Sequence, residues 1–325
     1  MYKVSVIVPI YNAEKDLEKT ICNIQKQSLR DIEIICVNDG SEDRSGEIIK
    51  HFQKKDPRIK YFFQSNKGAG AARNLGIDHA KGKYIAFLDA DDKFVNPQVI
   101  EKLYYAAEKN NAFICGGKVE GCSRKNDSNF PLHNGFVEFY QYQQDYFFWR
   151  YIYNRYFLAK NDIRFPELRV YEDPVFLVKA MIKAQKFYVI EDVVYSYSGS
   201  HQSQNMDVEK AIDYMQGIIT ELDITSKYKL AKLHKTLVNR LEKECCYYIE
   251  KHLYSNNQIF LKLLIKANSV IDSNLIECEE DYVLPAITSL WDAGRNYMRL
   301  RNSKLVRMMR KVIKGKWFRK GKYEC

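Results

Sequence analysis

The sequence contains no apolar run close to the roughly 18 residues that a membrane-spanning helix requires. Its first residues, MYKVSVIVPIYN, have a strand pattern and lack the long hydrophobic region of a secretory signal. We therefore expect a protein that stays in the cytoplasm. With 46% hydrophobic residues among 325, the chain can build one large domain with an extension, or two domains.

The eight cysteines show no paired Cys-x-x-Cys spacing and no dense framework. Structural zinc sites and disulfide scaffolds depend on such patterns. We interpret the cysteines as buried or incidental thiols in a reducing compartment, and we do not expect zinc.

A nucleic-acid partner is not expected either, although the formal net charge is +10. Eleven of the 51 Lys and Arg residues lie from Arg299 onward, beside the single acid Glu324. The rest of the chain carries equal numbers of basic and acidic side chains and is therefore neutral. The basic surplus belongs to one tail and does not form a face of the main body.

A complete dinucleotide-binding fingerprint is also missing. The stretch 66–76 (NKGAGAARNLG) opens a predicted helix with Gly68 and Gly70, but Arg73 stands where the third glycine belongs. The stretch follows the third predicted strand, whereas the fingerprint follows the first. A dehydrogenase is therefore a poor match.

The first 116 residues alternate apolar strands with amphipathic helices. Strands are expected at 4–8, 32–37, 59–63, 84–88 and 112–116, and helices at 13–27, 42–55, 68–80 and 97–109. This alternation predicts an α/β fold with a right-handed, mainly parallel, Rossmann-like sheet and helices on both faces.

Polar residues gather where the predicted strands end. They are Pro9, Tyr11, Asn12 and Glu14 after the first strand, Asp39 and Ser41 after the second, Lys67 and Arg73 after the third, and Asp89 and Asp91 after the fourth. Ligands of such sheets bind beyond the carboxyl ends of the strands. An aromatic ring, two cations and a metal-competent acid pair would suit a nucleoside diphosphate. Two simpler readings remain open, namely a solvated acidic turn at FLDADD (87–92) and a solvated helix-surface Arg73.

Four motifs resemble those of family 2 glycosyltransferases with the A-type nucleotide-sugar fold. They are VSVIVPIYNAEKDLEKTI, IICVNDGSEDRS, NKGAGAARNLGIDHAKGKYIAFLDADD and, later, YEDPVF. The resemblance implies a nucleotide-sugar donor with Mn²⁺ or Mg²⁺. The roles that it implies are base recognition, usually of uracil, by Asp39, nucleoside contacts by Pro9, Tyr11 and Glu14, diphosphate contact by Arg73, ribose or metal-bound water at Asp89, and metal ligation by Asp91. Lys67 fits a second diphosphate contact near a helix N-terminus, and Asp92 receives no role.

The second half of the predicted catalytic domain, 119–205, is expected to hold the acceptor. Its segment 140–157 (YQYQQDYFFWRYIYNRYF) is rich in aromatic rings, which stack well on sugars. Trp149 and Tyr153 are our candidates for acceptor contact, although aromatic residues at this density are also typical of a core.

Glu172 and Asp173 directly precede Pro174, whose fixed φ suits the first turn of a helix. Helix capping alone would explain such an acid pair. The family resemblance implies more: Asp173 acts as general base, and Glu172 positions it or binds the acceptor. Where relatives often carry an arginine after a Tyr-x-Tyr element, this chain has His201, which could contact the diphosphate or the metal or could be a solvated loop residue.

Helical periodicity predicts a bundle over 206–300, followed by a basic amphipathic tail over 301–325. Apolar residues lie on one side of the tail, basic ones lie largely opposite, and Trp317 and Phe318 come near its end. This pattern fits peripheral adsorption to an anionic membrane surface. Docking of the same helix on the bundle is the alternative.

Together these features predict a metal-dependent, inverting glycosyltransferase that transfers a hexosyl or N-acetylhexosaminyl group from a nucleotide sugar, most simply a UDP-sugar. A saccharide or lipid-linked oligosaccharide acceptor in capsule or other surface polysaccharide synthesis is expected by family analogy. A sugar nucleotidyltransferase would need a glycine-rich, basic triphosphate loop where this chain has PIYNAEKD. An inactive glycan-binding or scaffold protein of the same fold is the other alternative, although the acids and Arg73 are all present.

Overall fold

The computed structural model describes residues 2–121, 130–131, 133–198, 206–245, 259–260 and 262–276. The strands in this part of the chain are β1 Val4–Ile10, β2 Ile32–Asp39, β3 Ile59–Gln64, β4 Tyr84–Phe87, β5 Lys93–Phe94, β6 Ile114–Glu120, β7 Gly135–Glu138, β8 Tyr151–Asn154 and β9 Lys186–Ser196. The α-helices are α1 Leu17–Gln25, α2 Ser45–Lys55, α3 Ala69–His79, α4 Val99–Lys109, α5 Phe139–Tyr142, α6 Arg155–Lys160, α7 Glu172–Ala184, α8 Val208–Tyr228 and α9 Ala231–Arg240.

One sheet joins all nine of these strands, in the order β3-β2-β1-β4-β8-β6-β9-β5, with β7 also paired to β9. The four strands β3, β2, β1 and β4 pair in parallel, as the strand and helix alternation predicts. The strand order reverses between β1 and β4, and a crevice opens at such a reversal beyond the carboxyl ends of the strands. The predicted α/β fold is confirmed, and the polar strand ends meet at this crevice.

The apolar patterns account for the parallel half. Every residue of β1 and β2 is buried, as expected for strands covered on both faces. The predicted helical positions Leu17, Ile21 and Ile24 are the buried face of α1. The structure contains the predicted strands and helices of this half, with their ends shifted by a few residues.

Pro9 lies inside β1, whereas the sequence predicts that it ends the strand. The strand continues because the backbone of Ile7 and of Pro9 faces β4, and β4 pairs with β1 only as far as Ile7. No ladder hydrogen bond therefore requires the N–H that Pro9 lacks. Pro9 is buried, and a nucleoside contact by Pro9 stays a prediction.

Beyond β4 the sheet is mixed. Strand β8 pairs antiparallel with both β4 and β6, and β9 pairs parallel with β6 and antiparallel with β5 and β7. The sequence did not predict β8 or the two-residue β5. Because Tyr151, Ile152 and Tyr153 are all buried, β8 shows no alternation of apolar and polar residues.

Most of the aromatic segment 140–157 belongs to the core. This is the alternative to sugar contact that its high aromatic content allows. Tyr153 has no exposed surface, and its hydroxyl donates to the carbonyl oxygen of Phe148 at 2.7 Å. A fully buried ring cannot touch an acceptor, so the structure corrects our prediction for Tyr153.

Helices α8 and α9 pack beside the sheet domain, and residues 259–260 and 262–270 are also helical. Within the described residues, no helix is both long and apolar enough to cross a membrane. His201 and the basic tail 301–325 lie outside the described residues.

Candidate active site

The loops that follow β1 and β2 are tied together by their polar side chains. The backbone N–H of Asn12 donates to Ser41 Oγ at 3.0 Å, and the N–H of Glu42 donates to Asn12 Oδ1 at 2.9 Å. Glu14 accepts from the backbone N–H of Arg44. The Tyr11 ring is 51% exposed above these loops and is available for stacking.

Asp39 is buried at the end of β2 and holds the next loop. Its Oδ1 accepts from Gln64 Nε2 at 2.7 Å and from the backbone N–H of Lys67 at 2.9 Å, while Oδ2 accepts from the N–H of Gly68 at 2.8 Å. The Lys67 side chain is exposed. These bonds orient the start of α3, and base recognition by Asp39 stays a prediction.

Arg73 lies on α3 as a buried link between the two halves of the site. Its Nη2 donates to Asp89 Oδ1 at 2.9 Å, and its Nη1 donates to Glu172 Oε1 at 2.8 Å. The guanidinium also packs on the rings of Phe148 and Phe165, at 4.7 and 5.4 Å from their centroids. Burial opposes its charge, but the two carboxylates raise the pKa of Arg73 further above its usual range. It is therefore not the solvated helix residue that sequence reasoning left open, and direct diphosphate contact stays a prediction.

Gly70 explains how α7 comes close enough for this link. A Cβ at Gly70 would lie 2.9 Å from Glu172 Cγ and 3.3 Å from Phe165 Cβ. Only glycine leaves room for the Glu172 side chain against α3. The glycine that looked like half of a dinucleotide fingerprint thus serves packing between α3 and α7.

The acids of FLDADD have different environments. The side chain of Asp89 is mostly buried and Asp91 is half-buried, and Ser198 Oγ lies 3.5 Å from Asp91 Oδ2. Asp92 is buried and accepts from Tyr195 Oη at 2.7 Å and from the backbone N–H of Ser198 at 2.8 Å. Burial raises the pKa of Asp92 to about 6. Asp92, to which the sequence assigned no role, thus fastens the acidic turn to the end of β9.

Replacement of Tyr195 by phenylalanine should loosen this attachment. The hydroxyl accepts from the backbone N–H of Asp89 at 3.3 Å and donates to Asp92, so the variant removes one hydrogen bond from each partner and leaves Oδ2 of the buried Asp92 without this donor. An unsatisfied buried group costs about 1–3 kcal/mol, and we expect a loss of unfolding free energy in this range by urea denaturation. Tyr188→Phe, on the same strand but half-buried, is the control. Equal stability of the two variants would contradict this account of Asp92.

Asp173 lies in the first turn of α7, next to Glu172 and within electrostatic reach of Arg73 and Asp89. Burial, followed by the charge of Glu172, raises the pKa of Asp173 to about 7. Burial also raises the pKa of Glu172, which the Arg73 charge opposes. A carboxyl with a pKa near neutrality can accept and release a proton under physiological conditions.

Trp149 is mostly buried in an aromatic stack with the end of β9. Its ring centroid lies 3.8 Å from that of Tyr195 and 6.1 Å from that of Tyr197. With only 8% of its surface exposed, Trp149 mainly supports the strand that carries the Asp92 attachment. Contact between Trp149 and an acceptor stays a prediction.

Sequence reasoning missed several residues that build the site, namely Gly70, Tyr195, Phe148 and Phe165. All four act through contacts between elements that are distant in the chain. The ion-pair partners Arg73 and Glu172, for example, are 99 positions apart. The single local signal is a glycine one turn before Arg73, and in the sequence alone this glycine resembles part of an incomplete dinucleotide fingerprint.

Divalent metal chemistry fits the donors at this crevice, although no cluster of three or more His, Cys, Asp or Glu residues suited to a metal occurs among the described residues. Asp91 offers a half-buried carboxylate beside the hydroxyl of Ser198. Mg²⁺ and similar hard ions are commonly held by one or two carboxylates, with substrate phosphates and water completing the shell. Metal ligation by Asp91, with a diphosphate supplying further oxygens, stays a prediction.

Curated bacterial proteins resemble the chain over most of the region just described. An uncharacterized glycosyltransferase of Bacillus subtilis (strain 168), EpsJ, is 36% identical over 208 residues, which are 60% of this chain and 60% of that protein. The glycosyltransferase GlyG of Streptococcus pneumoniae serotype 4 is 32% identical over 241 residues, covering 66% of this chain and 77% of GlyG. The chain thus spans less than two thirds of the first relative and about three quarters of the second.

Among solved structures, residues 1–349 of TarS from S. aureus with UDP-GlcNAc superpose with a TM-score of 0.68 at 21% identity, covering 84% of this chain and 82% of that one. At this identity the likeness concerns the fold. The family model for glycosyl transferase family 2 matches residues 5–179, more than half of the chain and all of the site residues from Pro9 to Asp173. The chain belongs to glycosyl transferase family 2.

Proposed function

We propose that this protein is a metal-dependent inverting glycosyltransferase that moves a sugar from a UDP-sugar to a saccharide or lipid-linked acceptor. The observation that carries the proposal is the Arg73 link between Asp89, on the side of the acidic turn, and Glu172, next to Asp173. This link supports the proposal because it brings Asp89, which we propose on the donor side, close to a carboxyl with a near-neutral pKa. A transfer at one carbon needs both groups: a carboxylate on the side of the leaving group, and a carboxyl that can take the proton of the incoming nucleophile.

The donor would lie across the ends of β1, β2 and β4. In this proposal Tyr11 supplies an exposed ring, Asp39 a carboxylate near the base, and Asp89 a mostly buried acid for the ribose or for metal-bound water. The TarS structures, which share the fold, were solved with UDP and with UDP-GlcNAc. A UDP-sugar is accordingly the donor class that we favour.

Asp91 would hold Mn²⁺ or Mg²⁺ against the donor diphosphate. The metal supplies charge that stabilises the departing diphosphate, an electrostatic contribution that is usually large. Arg73 keeps Asp89 in place, and the attachment of Asp92 to Tyr195 and Ser198 keeps the acidic turn against β9.

Asp173 would remove the proton from the acceptor hydroxyl as its oxygen attacks the anomeric carbon. In an inverting transfer this attack comes from the face opposite the diphosphate, so base and leaving group belong on opposite sides of the sugar. Glu172, held by Arg73, fixes the start of α7 and thereby the position of Asp173. Glu172 itself has one oxygen committed to Arg73, which favours a positioning role over proton transfer.

We place the reaction in the synthesis of a bacterial surface polysaccharide, by analogy with the family. The transferred group, hexosyl or N-acetylhexosaminyl, and the saccharide or lipid-linked acceptor belong to this proposal. Peripheral contact of the tail 301–325 with an anionic membrane is a prediction from its sequence alone, since the tail lies outside the described residues.

The metal site can be tested with a panel of UDP-sugars and Mn²⁺, by following the release of UDP from the full chain. Outer-shell partners of a bound metal are already worth about 10- to 100-fold in affinity, so Asp91→Asn should raise the Mn²⁺ concentration for half-maximal rate at least about 10-fold. Asp223→Asn, an exposed acid on α8, is the control.

The panel also separates the alternatives. Absence of metal-dependent turnover with every donor, together with binding of glycans alone, would indicate an inactive glycan-binding protein. Formation of a nucleotide sugar from a nucleoside triphosphate and a sugar phosphate would indicate a nucleotidyltransferase.

A further inference from the structure

A buried polar cluster joins the helices α8 and α9 to the residue that precedes the acid pair. The hydroxyl of Tyr171 donates to Glu221 Oε2 on α8 at 2.8 Å and accepts from Nη1 of Arg240 on α9. Nη1 of Arg240 also donates to Asp145 Oδ2 at 2.7 Å. Each of these four side chains is at least nine-tenths buried.

This cluster costs free energy that simple packing of two helices would not require. Burial raises the pKa of Glu221 well above its usual range, and Glu221 Oε1 finds no hydrogen-bond partner within the described part of the chain. Apolar side chains of similar volume often stabilise such an interior equally well or better. A buried charged cluster is therefore weak evidence for stability, and another role should be sought for it.

The backbone of α8 comes unusually close to the Tyr171 ring. A Cβ at Gly217 would lie 2.5 Å from Tyr171 Cδ1, and the ring of Tyr214 makes an edge contact with Tyr171 at 4.9 Å between centroids. The helix thus fixes both the ring and the hydroxyl of Tyr171. Substitution of Gly217 by any other residue would displace the tyrosine.

Tyr171 is the N-cap residue of α7, and its φ is +70°. A bulky residue adopts this left-handed conformation at a cost of about 1–3 kcal/mol, and it persists only where the surroundings enforce it. The next two residues are Glu172 and Asp173. The contacts that hold Tyr171 in this conformation therefore also set the direction in which the side chains of Glu172 and Asp173 point.

We propose that Tyr171, Glu221 and Arg240 are positioning residues, through which α8 and α9 hold Asp173 in register with the donor. This inference rests on the proposed function and assigns a catalytic purpose to the helical extension. The helical extension then completes the site, although Glu221 and Arg240 need not touch either substrate.

The test compares Tyr171→Phe, Glu221→Leu and the double variant in the full chain. Misplacement of a catalytic group by about 1 Å can cost on the order of 10²-fold in rate, so we expect each single variant to lower kcat about 10-fold or more. The affinity for UDP should stay within about twofold, because Asp39 and Tyr11 lie at the other end of the site. The double variant should be no slower than the slower single one, since both remove the same bond.

Gln216→Ala, an exposed position next to Gly217 on α8, is the matched control and should leave kcat unchanged. Thermal denaturation and UDP binding establish that each variant is folded. Unchanged kcat in Tyr171→Phe, with an active parent, would overturn the positioning role. Equal losses of kcat and of UDP affinity would also overturn it, because they would indicate general loosening.

A readout that is independent of turnover distinguishes failure of this inference from failure of the proposed function. The carboxyl carbon of Asp173, assigned by its loss in Asp173→Asn, can be titrated by ¹³C NMR. A loosened acid pair gains solvent, so the titration midpoint in Tyr171→Phe should fall from near 7 toward the ordinary aspartate range. If the parent is inactive and the midpoint still falls, the positioning role stands while the proposed reaction fails. An unchanged midpoint would refute the positioning role whatever the activity.

Discussion

Replacement of Asp173 by asparagine is expected to lower kcat by about 10²- to 10⁴-fold while the affinity for UDP stays the same. Asparagine keeps the shape of the side chain and its place in the first turn of α7, but it cannot take up the proton of the acceptor hydroxyl. The donor contacts that we propose at Tyr11, Asp39 and Asp91 lie on other elements and remain intact. Single-turnover release of UDP and calorimetric UDP binding would measure the two effects separately.

The same carboxyl determines the expected pH dependence. Burial, and then the charge of Glu172, raises the pKa of Asp173 to about 7, and a base acts only in its unprotonated form. The ratio kcat/KM should therefore fall as the pH drops below about 7, whereas an ordinary aspartate would remain ionised to about pH 4. A flat profile between pH 5.5 and pH 8 would contradict this assignment of the base.

The folding stability should depend on pH in the opposite direction, and it therefore provides a control. Because the pKa of Asp173 is higher in the folded chain than in the unfolded chain, the folded state binds more protons between these two values. Stability from this group is present at low pH and is lost as the pH rises toward 7. The neutral asparagine avoids that loss, so at pH 8 the inactive variant should be at least as stable as the parent. Loss of activity together with loss of stability would point to unfolding.

Replacement of Arg73 by methionine is expected to reduce the unfolding free energy by about 3–5 kcal/mol, because Asp89 and Glu172 would lose the buried cation between them. The ion-pair side chains of Arg73, Asp89 and Glu172 are only 6%, 16% and 11% exposed, so solvent screens them little. Urea denaturation measures this loss.

Two further variants make this prediction specific. Arg73→Lys keeps the charge but offers one ammonium in place of a two-sided guanidinium, so its stability should lie between those of Arg73→Met and the parent. Arg164→Met breaks a 3.1 Å pair with Asp78 whose side chains are 32% and 57% exposed, and should cost only about 0–1 kcal/mol. If Arg73→Met costs no more than Arg164→Met, the pairs at Arg73 are not the link that we describe.

The parallel half of the fold was predictable because its signals are local. A run of β-branched residues such as VSVIV has few alternatives to a doubly covered strand, and the spacing of Leu17, Ile21 and Ile24 fits only one face of a helix. Polar residues at the ends of such strands must meet, because parallel strands end at the same edge of a sheet. The location of the site therefore followed from the order of the strands.

The second half was harder to predict for an equally physical reason. Strand β8 is apolar on both faces and only four residues long, so neither length nor alternation distinguishes it from buried helix or loop. Tyr153 illustrates the consequence: an aromatic residue that looks suited to a sugar has no exposed surface once β4 and β6 pair on either side of β8.

The sequence by itself determined the class of the fold, the family and the chemical types at the site, because strand patterns and acid clusters are properties of neighbouring residues. Only the tertiary structure decided which groups act together. It paired Arg73 with both Asp89 and Glu172, formed the hydrogen bond between Tyr195 and Asp92, and placed Tyr171 against α8 and α9. Burial then raised the pKa of Asp173 to about 7. Contacts between residues about 100 positions apart, and the loss of water around them, have no counterpart in a local pattern.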